Sequence, residues 1–159
     1  MNQPLSKHIL GRAELISLPD IDVINIPARI DTGAKTSAIW ATDIKEDENG
    51  LSFFLFDETS EHHRPIRHTV TEYHRIIVRS TNGVSEPRFK VKLTLKISGR
   101  TIISSFTLAN RSRQVYPVLI GRNVLLGKFI VDVDLDRTGI AKDTQENDKK
   151  LTAKIERKR

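Results

Sequence analysis

Residues 26–34, IPARIDTGA, place an aspartate on a tight Thr-Gly turn directly after an apolar run. A second stretch, residues 118–125, reads VLIGRNVL, which is an apolar strand that ends at a glycine and continues as Arg-Asn and two apolar residues. Asp-Thr-Gly alone is a weak signal, because Asp and Gly populate turns of many kinds. The sequence holds this tripeptide once, at Asp31, whereas water activation by a carboxylate dyad needs two such groups.

Most of the chain has the pattern of short strands. Residues 89–97 alternate apolar and polar side chains, which is the period of a half-buried strand. A Ser-Gly-Arg turn at 98–100 and a strand over 101–108 complete a hairpin. The remaining predicted elements are strands over 51–56, 75–79 and 129–135, and one helical turn over 123–127 that is closed by glycine. Short, regularly spaced strands with little helix predict an all-β, barrel-like domain.

The composition predicts one globular domain. The chain has 159 residues, 38% hydrophobic and 29% charged, and no cysteine, which excludes disulfides, thiolate zinc sites and thiol nucleophiles. We expect a domain over residues 1–136 and a charged tail over 137–159 that is helical or disordered. No apolar run is long enough for a signal peptide or a membrane span, so we expect a cytoplasmic protein without membrane contact.

The two motifs resemble the retropepsin-like aspartic protease fold, in which a later apolar-apolar-Gly strand holds the Asp-Thr-Gly loop. Longer segments are similar to one bacterial branch of that fold, a family named ATP-dependent zinc proteases and associated with a ribosomal-protein glutamate ligase. These segments are residues 10–12, 28–38, 79–83 with Glu86 and Arg88, 108–111, 117–122 and 129–132. The resemblance implies an all-β, retropepsin-like closed barrel, a single domain and a two-fold homodimer.

The activity that the resemblance implies is amide hydrolysis at Asp31, Thr32 and Gly33. Two carboxylates close together share one proton, so the ionised group activates a water while the protonated group supports the carbonyl oxygen. One chain offers one such Asp, so the second must come from another copy across a two-fold axis. Thr32 would hydrogen-bond across that axis, and Gly33 allows close backbone approach.

The same resemblance implies a peptide or protein substrate. The Asn-Gly turn at 82–83 would lie at the tip of an exposed hairpin over Asp31. Arginine forks match carboxylates, so basic residues near the motifs favour acidic or glutamate-rich peptides. The predicted substrate-binding residues are Ala34, Lys35, Asn82, Gly83, Arg88, Arg111 and Arg122.

Two features leave a different class of function open. Lys35 takes the place of an acid that in many retropepsins pairs with the arginine of the Gly-Arg-Asn motif, so Arg122 needs another partner. A cation near Asp31 also favours the carboxylate over the carboxylic acid, although Lys35 equally fits a solvent-facing position. The alternative is therefore a non-catalytic binding module for an acidic protein or peptide tail.

We expect no metal and no cofactor. The five histidines lack the His-Glu-x-x-His pattern, and Gly-Ala-Lys-Thr at 33–36 departs from a P-loop. The net charge of +6 suits phosphates, but aromatic residues are 6% and no base-stacking motif is present, which disfavours nucleic acid as a partner.

Overall fold

A computed structural model describes residues 6–79 and 82–140 of the chain. Within these residues the regular secondary structure is β, apart from one short helix and a 3-10 turn at Pro19–Ile21. The strands are β1 His8–Leu18, β2 Val23–Ile30, β3 Ser37–Asp47, β4 Gly50–Leu55, β5 His68–Val70, β6 Tyr73–Arg79, β7 Ser85–Ile97, β8 Arg100–Ala109, β9 Val118–Ile120 and β10 Phe129–Asp136, and the helix is α1 Arg122–Leu125. The predicted all-β class is confirmed, although β7 begins four residues earlier than the predicted strand over 89–97.

The strand pairings close a ring of hydrogen bonds. The order β10-β1-β2-β9-β3-β8-β7-β6 becomes a ring because β1 also pairs with β7, through Ile16 with Ile97 and Ser17 with Lys96. Strands β4 and β5 extend the sheet from β3. Strands β10 and β6 stand outside the ring at the two ends of the strand order.

Strand β7 shows how the sequence sorts its side chains between core and solvent. Its alternate residues Val91, Leu93, Leu95 and Ile97 are buried, as the period of two predicts. The lysines between them lie on the opposite face of the strand. The core continues across the ring with large buried side chains that include Phe53, Phe56 and Phe106.

Strand β1 has no clean alternation, and the sequence patterns did not predict it. Its register shifts between Gly11 and Ala13, where the strand pairs with β10 on one side and β2 on the other. A Cβ on Gly11 would lie 2.5 Å from the backbone oxygen of Leu135. Glycine is therefore required there because the β10 backbone approaches too closely for any side chain.

Strands β2 and β9 bring the two sequence motifs together. They pair in parallel with Ile30 opposite Ile120, so both strands end at the same edge of the sheet. The Asp31 amide donates to the Ile120 carbonyl at 2.9 Å. The residues that follow the two strands therefore start as neighbours.

The residue that follows β10 is attached to β1. The guanidinium of Arg137 donates to the Ile9 carbonyl and to Glu14, each at 3.0 Å. The predicted tail from residue 141 onward lies outside the described residues. Among the described residues, no helix has the length and apolar character needed to cross a bilayer.

Candidate functional site

The Asp31 loop presents a carboxylate on a tight turn at the edge of the sheet. Asp31 is half-buried, whereas Thr32 and Gly33 are exposed. The Gly33 amide donates to Asp31 Oδ1 at 2.9 Å, and the Ala34 amide donates to the Asp31 carbonyl at 3.3 Å. A Cβ on Gly33 would lie 3.3 Å from that same Oδ1, so glycine leaves room around the carboxylate.

The turn after β9 holds this loop through its backbone. The Arg122 amide donates to the Ala34 carbonyl at 2.8 Å, and the Asn123 amide donates to the Lys35 carbonyl at 3.2 Å. Gly121 packs so closely that a Cβ there would lie 2.8 Å from the carbonyl oxygens of Ala34 and Thr36. The Gly-Arg-Asn motif therefore fixes the far end of the Asp31 loop.

A partly buried network of polar groups adds a second attachment of the Asp31 loop. Ser37 donates to Asn123 Oδ1 from its amide at 3.0 Å and from its hydroxyl at 2.8 Å. The Gly121 amide donates to Ser37 Oγ at 3.0 Å, and Asn123 Nδ2 donates to Ser104 Oγ and to the Ser105 carbonyl. These bonds join the start of β3, the α1 turn and β8, so the loop is held by three elements.

Arg122 has backbone partners in place of the missing acid. Its Nη1 donates to the Thr32 carbonyl at 3.2 Å and to the Gly33 carbonyl at 2.9 Å. A guanidinium can brace a turn through carbonyl oxygens as well as through a carboxylate, because it has five N–H donors. The presence of Lys35 at the usual acidic position is therefore compatible with a braced loop.

The guanidiniums of Arg29 and Arg88 and the Asp31 carboxylate all act electrostatically on Arg111, so the four groups form one cluster around Arg111. Burial lowers the pKa of Arg111 from its usual value, the charges of Arg88 and Arg29 lower it further, and Asp31 opposes them. Arg111 Nε also donates to the Tyr116 carbonyl at 3.0 Å, which fixes its position. An arginine stays protonated in proteins, so an anion, and not the loss of a proton, would relieve this crowding of charge.

One of these charges has a partner within the cluster. Arg88 donates from Nε and Nη2 to Glu86 Oε2, at 3.1 and 3.0 Å. The cluster therefore holds three guanidiniums against two carboxylates, Asp31 and Glu86. An additional carboxylate from a ligand would balance the charge.

Thr32, Gly33 and Ala34 form the Asp31 loop itself, and the other predicted site residues fall into three groups. Asp31, Arg88 and Arg111 are brought together by the fold, as described above. Lys35 and Arg122 line a separate open pocket of about 710 Å³ on the side of α1 and β8. Asn82 and Gly83 are exposed at the hairpin between β6 and β7, where Gly83 has a φ of 81° that suits a turn.

The histidines of the loop before β5 take part in aromatic packing. The ring centroids of His62 and His63 lie 6.2 Å from those of Phe56 and Phe54, respectively. His68 lies 5.9 Å from Phe53. Over residues 6–79 and 82–140, no three His, Asp or Glu side chains gather as metal ligands would.

Sequence reasoning left three basic residues out of the site. Arg29 lies directly before the loop on β2, and Lys90 and Lys92 lie on the outer face of β7. The sequence does contain indications of them, because Arg29 is two residues from Asp31 and the two lysines alternate with core residues of β7. The alternation by itself indicates only a half-buried strand with its lysines facing solvent.

Comparisons with known proteins agree with the retropepsin-like fold. The model of the RimB-like family, described as retropepsin-like aspartic endopeptidase RimB, matches residues 9–143. A solved structure of Lpg0085 from Legionella pneumophila, a protein of unknown function, superposes with a TM-score of 0.63 at 26% identity. That superposition covers 84% of this chain and 99% of the other.

Curated relatives carry a different name and are much longer. A probable alpha-L-glutamate ligase of Desulfotalea psychrophila is 30% identical over 136 residues, which are 83% of this chain but 29% of that protein. Another from Shewanella pealeana is 32% identical over 131 residues, with 80% and 29% covered. The chain thus spans less than a third of these relatives, so their ligase name need not describe the matched part.

The family match spans most of the chain, and both motifs that carry the resemblance meet at Asp31. The predicted retropepsin-like relationship is confirmed, and the chain belongs to the RimB-like family of retropepsin-like aspartic endopeptidases.

Proposed function

We propose that this protein is an aspartic peptidase that acts on acidic peptides as a homodimer. The observation that carries the proposal is Asp31 on its braced loop, with a guanidinium cluster beside it. Two copies would bring two Asp31 carboxylates together around one water. One carboxylate takes a proton from that water as its oxygen attacks the amide carbon, and the other gives its proton to the carbonyl oxygen. The first carboxylate then gives the proton that it took from the water to the amide nitrogen, which leaves as an amine, while a hydroxyl of the intermediate returns its proton to the second carboxylate.

The exposed parts of the chain suit a second copy. Thr32 and Gly33 are open to solvent in the single chain, as residues at a two-fold axis would be before assembly. Strand β10 lies at one end of the strand order and carries exposed Ile130 and Val133, at 54% and 70%. An edge strand with apolar side chains is a surface that proteins normally cover.

The positive charge of the cluster favours an acidic substrate. Arg29, Arg88 and Arg111 near Asp31 would bind carboxylate side chains close to the bond that is cleaved. The relatives named as glutamate ligases contain a region similar to this chain, and a ligase that joins glutamate yields acidic chains. Glutamate-rich peptides are therefore the substrates that we propose.

The same arginine cluster supports a second candidate, a non-catalytic binding module for an acidic protein or peptide tail. The guanidiniums can bind carboxylates of a ligand by charge and hydrogen bonding alone, without a proton shared between two Asp31 side chains. In that case the loop would hold the acidic ligand without hydrolysing it.

A cleavage assay separates the two candidates. Wild-type protein and the Asp31→Asn variant are incubated with an oligoglutamate and with a neutral peptide of equal length, with and without a chelator. A peptidase cleaves the oligoglutamate faster than the neutral peptide, the variant is inactive, and the chelator changes neither rate. Binding of the oligoglutamate by both proteins without any cleavage would establish the binding module. Loss of cleavage with the chelator would show that a metal is required.

A further inference from the structure

The pocket of about 710 Å³ lies between the Asp31 loop, α1 and the β7–β8 hairpin. Four cationic side chains line it: Lys35, Lys90, Lys92 and Arg122. Hydroxyl groups, among them those of Thr36 and Ser105, stand between them. No carboxylate belongs to the lining of this pocket within the described chain.

Within the part of the chain that the structure describes, the lysines of this pocket form no ion pair. Among the described residues, the ion pairs within 4 Å include none of the four cations. Glu72 lies beside Lys90 and Lys92 in an adjoining cavity of about 190 Å³ but forms no ion pair with either. Like charges brought together on one face repel each other, so a polyanion would lower the energy of this surface.

The spacing of the bases on β7 indicates the shape of the ligand. Arg88, Lys90 and Lys92 occupy alternate positions of one strand, so their side chains lie on one face roughly 7 Å apart. Arg88 belongs to the cluster near Asp31, whereas Lys90 and Lys92 line the pocket. An extended peptide repeats its side chains with the same spacing, so alternate carboxylates can match successive bases.

We propose that this pocket is a second subsite, which binds carboxylates of an extended acidic peptide at positions remote from the bond held at Asp31. The proposal takes its substrate class from the function proposed above. It adds that the protein selects for the length of the acidic run as well as for its charge. The distance from Arg88 to Lys92 along β7 is roughly 13 Å. An acidic peptide that binds both must therefore extend at least four residues beyond the cluster.

The test measures binding and not cleavage. Oligoglutamates of three and of ten residues are titrated into full-length Asp31→Asn protein, with and without Lys90→Gln and Lys92→Gln together. We expect the double substitution to weaken the binding of the ten-residue ligand about fivefold, because each exposed ion contact contributes little. The affinity for the three-residue ligand should not change. The control Lys96→Gln removes a lysine of the same strand that lies outside the pocket, and it should change the affinity for neither ligand. Lys90→Arg with Lys92→Arg should retain binding of the long ligand.

Several results would overturn the subsite. Equal losses for both lengths, or no loss for either, would mean that the two lysines do not bind remote carboxylates. A tripolyphosphate or an RNA oligomer that binds here more tightly than the long oligoglutamate would show a site for phosphates. Length-dependent binding that requires the two lysines supports the subsite even if wild-type protein cleaves nothing, so its failure and that of the peptidase proposal are distinguishable.

Discussion

Gly121 is the residue at which the two motifs of the site come closest. Its Cα faces the carbonyl oxygens of Ala34 and Thr36, and a Cβ would lie 2.8 Å from each. Both obstacles are backbone atoms, which cannot rotate away as the end of a side chain can. The Asp31 loop and the α1 turn therefore depend on a position without a side chain.

We predict that Gly121→Ala lowers the free energy of unfolding by about 2–3 kcal/mol, since the added methyl must displace backbone. The matched control is Gly127→Ala, where open space surrounds the Cβ but φ is +75°. Gly127→Ala should lower the free energy of unfolding by about 1 kcal/mol, because alanine disfavours a positive φ. Denaturant unfolding of both variants measures the difference, and equal costs would contradict the close approach at Gly121.

Some contacts of the site residues can be predicted from the sequence and others cannot. Asp31 and Gly121 could be placed together from their motifs. The partner of Arg122 could not, because the Thr32 and Gly33 carbonyls carry no sequence signal. The gathering of Arg88 and Arg111 near Asp31 depends on where β7 and the loop after β8 lie in the folded chain. Spacing along the sequence does not contain that information.

At the scale of elements, Glu14 connects the bulge of β1 to the end of β10. Its side chain is 5% exposed, and its Oε1 accepts the Gly11 amide at 2.6 Å and Arg137 Nη1 at 3.0 Å. The Arg137 amide also donates to the Ala13 carbonyl. A buried carboxylate with two donors therefore fixes the irregular part of β1.

We predict that Glu14→Gln lowers the free energy of unfolding by about 1–3 kcal/mol, because a charged hydrogen bond inside the domain is weakened without a change of shape. The control is Glu86→Gln, which removes an exposed charge paired with Arg88 and should cost less than about 1 kcal/mol. Thermal or denaturant unfolding of both variants provides the measurement. A Glu14 variant no less stable than the Glu86 variant would refute the role of Glu14.

Strand β5 carries a histidine whose charge opposes folding. Burial lowers the pKa of His68 below its ordinary value of 6.5, and its ring packs on Phe53. As the pH falls through 6.5, the unfolded chain takes up the proton first. The folded state therefore loses stability relative to the unfolded state below that pH.

We predict that the free energy of unfolding falls less steeply between pH 7 and pH 5.5 in His68→Gln than in the wild type. His74→Gln, an exposed histidine on β6, is the control and should keep the slope of the wild type. Urea unfolding at several pH values measures the slopes. An unchanged slope in the His68 variant would show that its burial has no effect on stability.

The strands differ in how well their sequences predict them. Strand β7 was predictable because its core residues alternate with lysines on an open face. Strand β1 was not, since it pairs with β10, β2 and β7 and its register shifts at Gly11. Because β1 pairs with three different strands, the contacts at each position decide which side chains are buried, and the simple alternation of buried and exposed residues is lost. These contacts form only when the chain folds. The same limit applies to β5, a three-residue strand that packs through its histidine.

At the scale of the whole molecule, one chain presents one Asp31 on an exposed loop, and among the described residues β10 lies at the end of the strand order. The peptidase mechanism requires two such loops in contact, whereas the binding module works with a single copy. Assembly is therefore the property on which the central proposal depends.

The most direct measurement is a mixing titration. Wild-type protein is mixed with increasing amounts of Asp31→Asn protein under conditions that exchange subunits, and hydrolysis of a long oligoglutamate is followed per wild-type chain. If each site takes one Asp31 from each of two chains, activity per wild-type chain falls steadily, because mixed dimers lack one carboxylate. Activity per wild-type chain that stays constant at every ratio, or wild-type protein that cleaves nothing at all, would contradict the shared site.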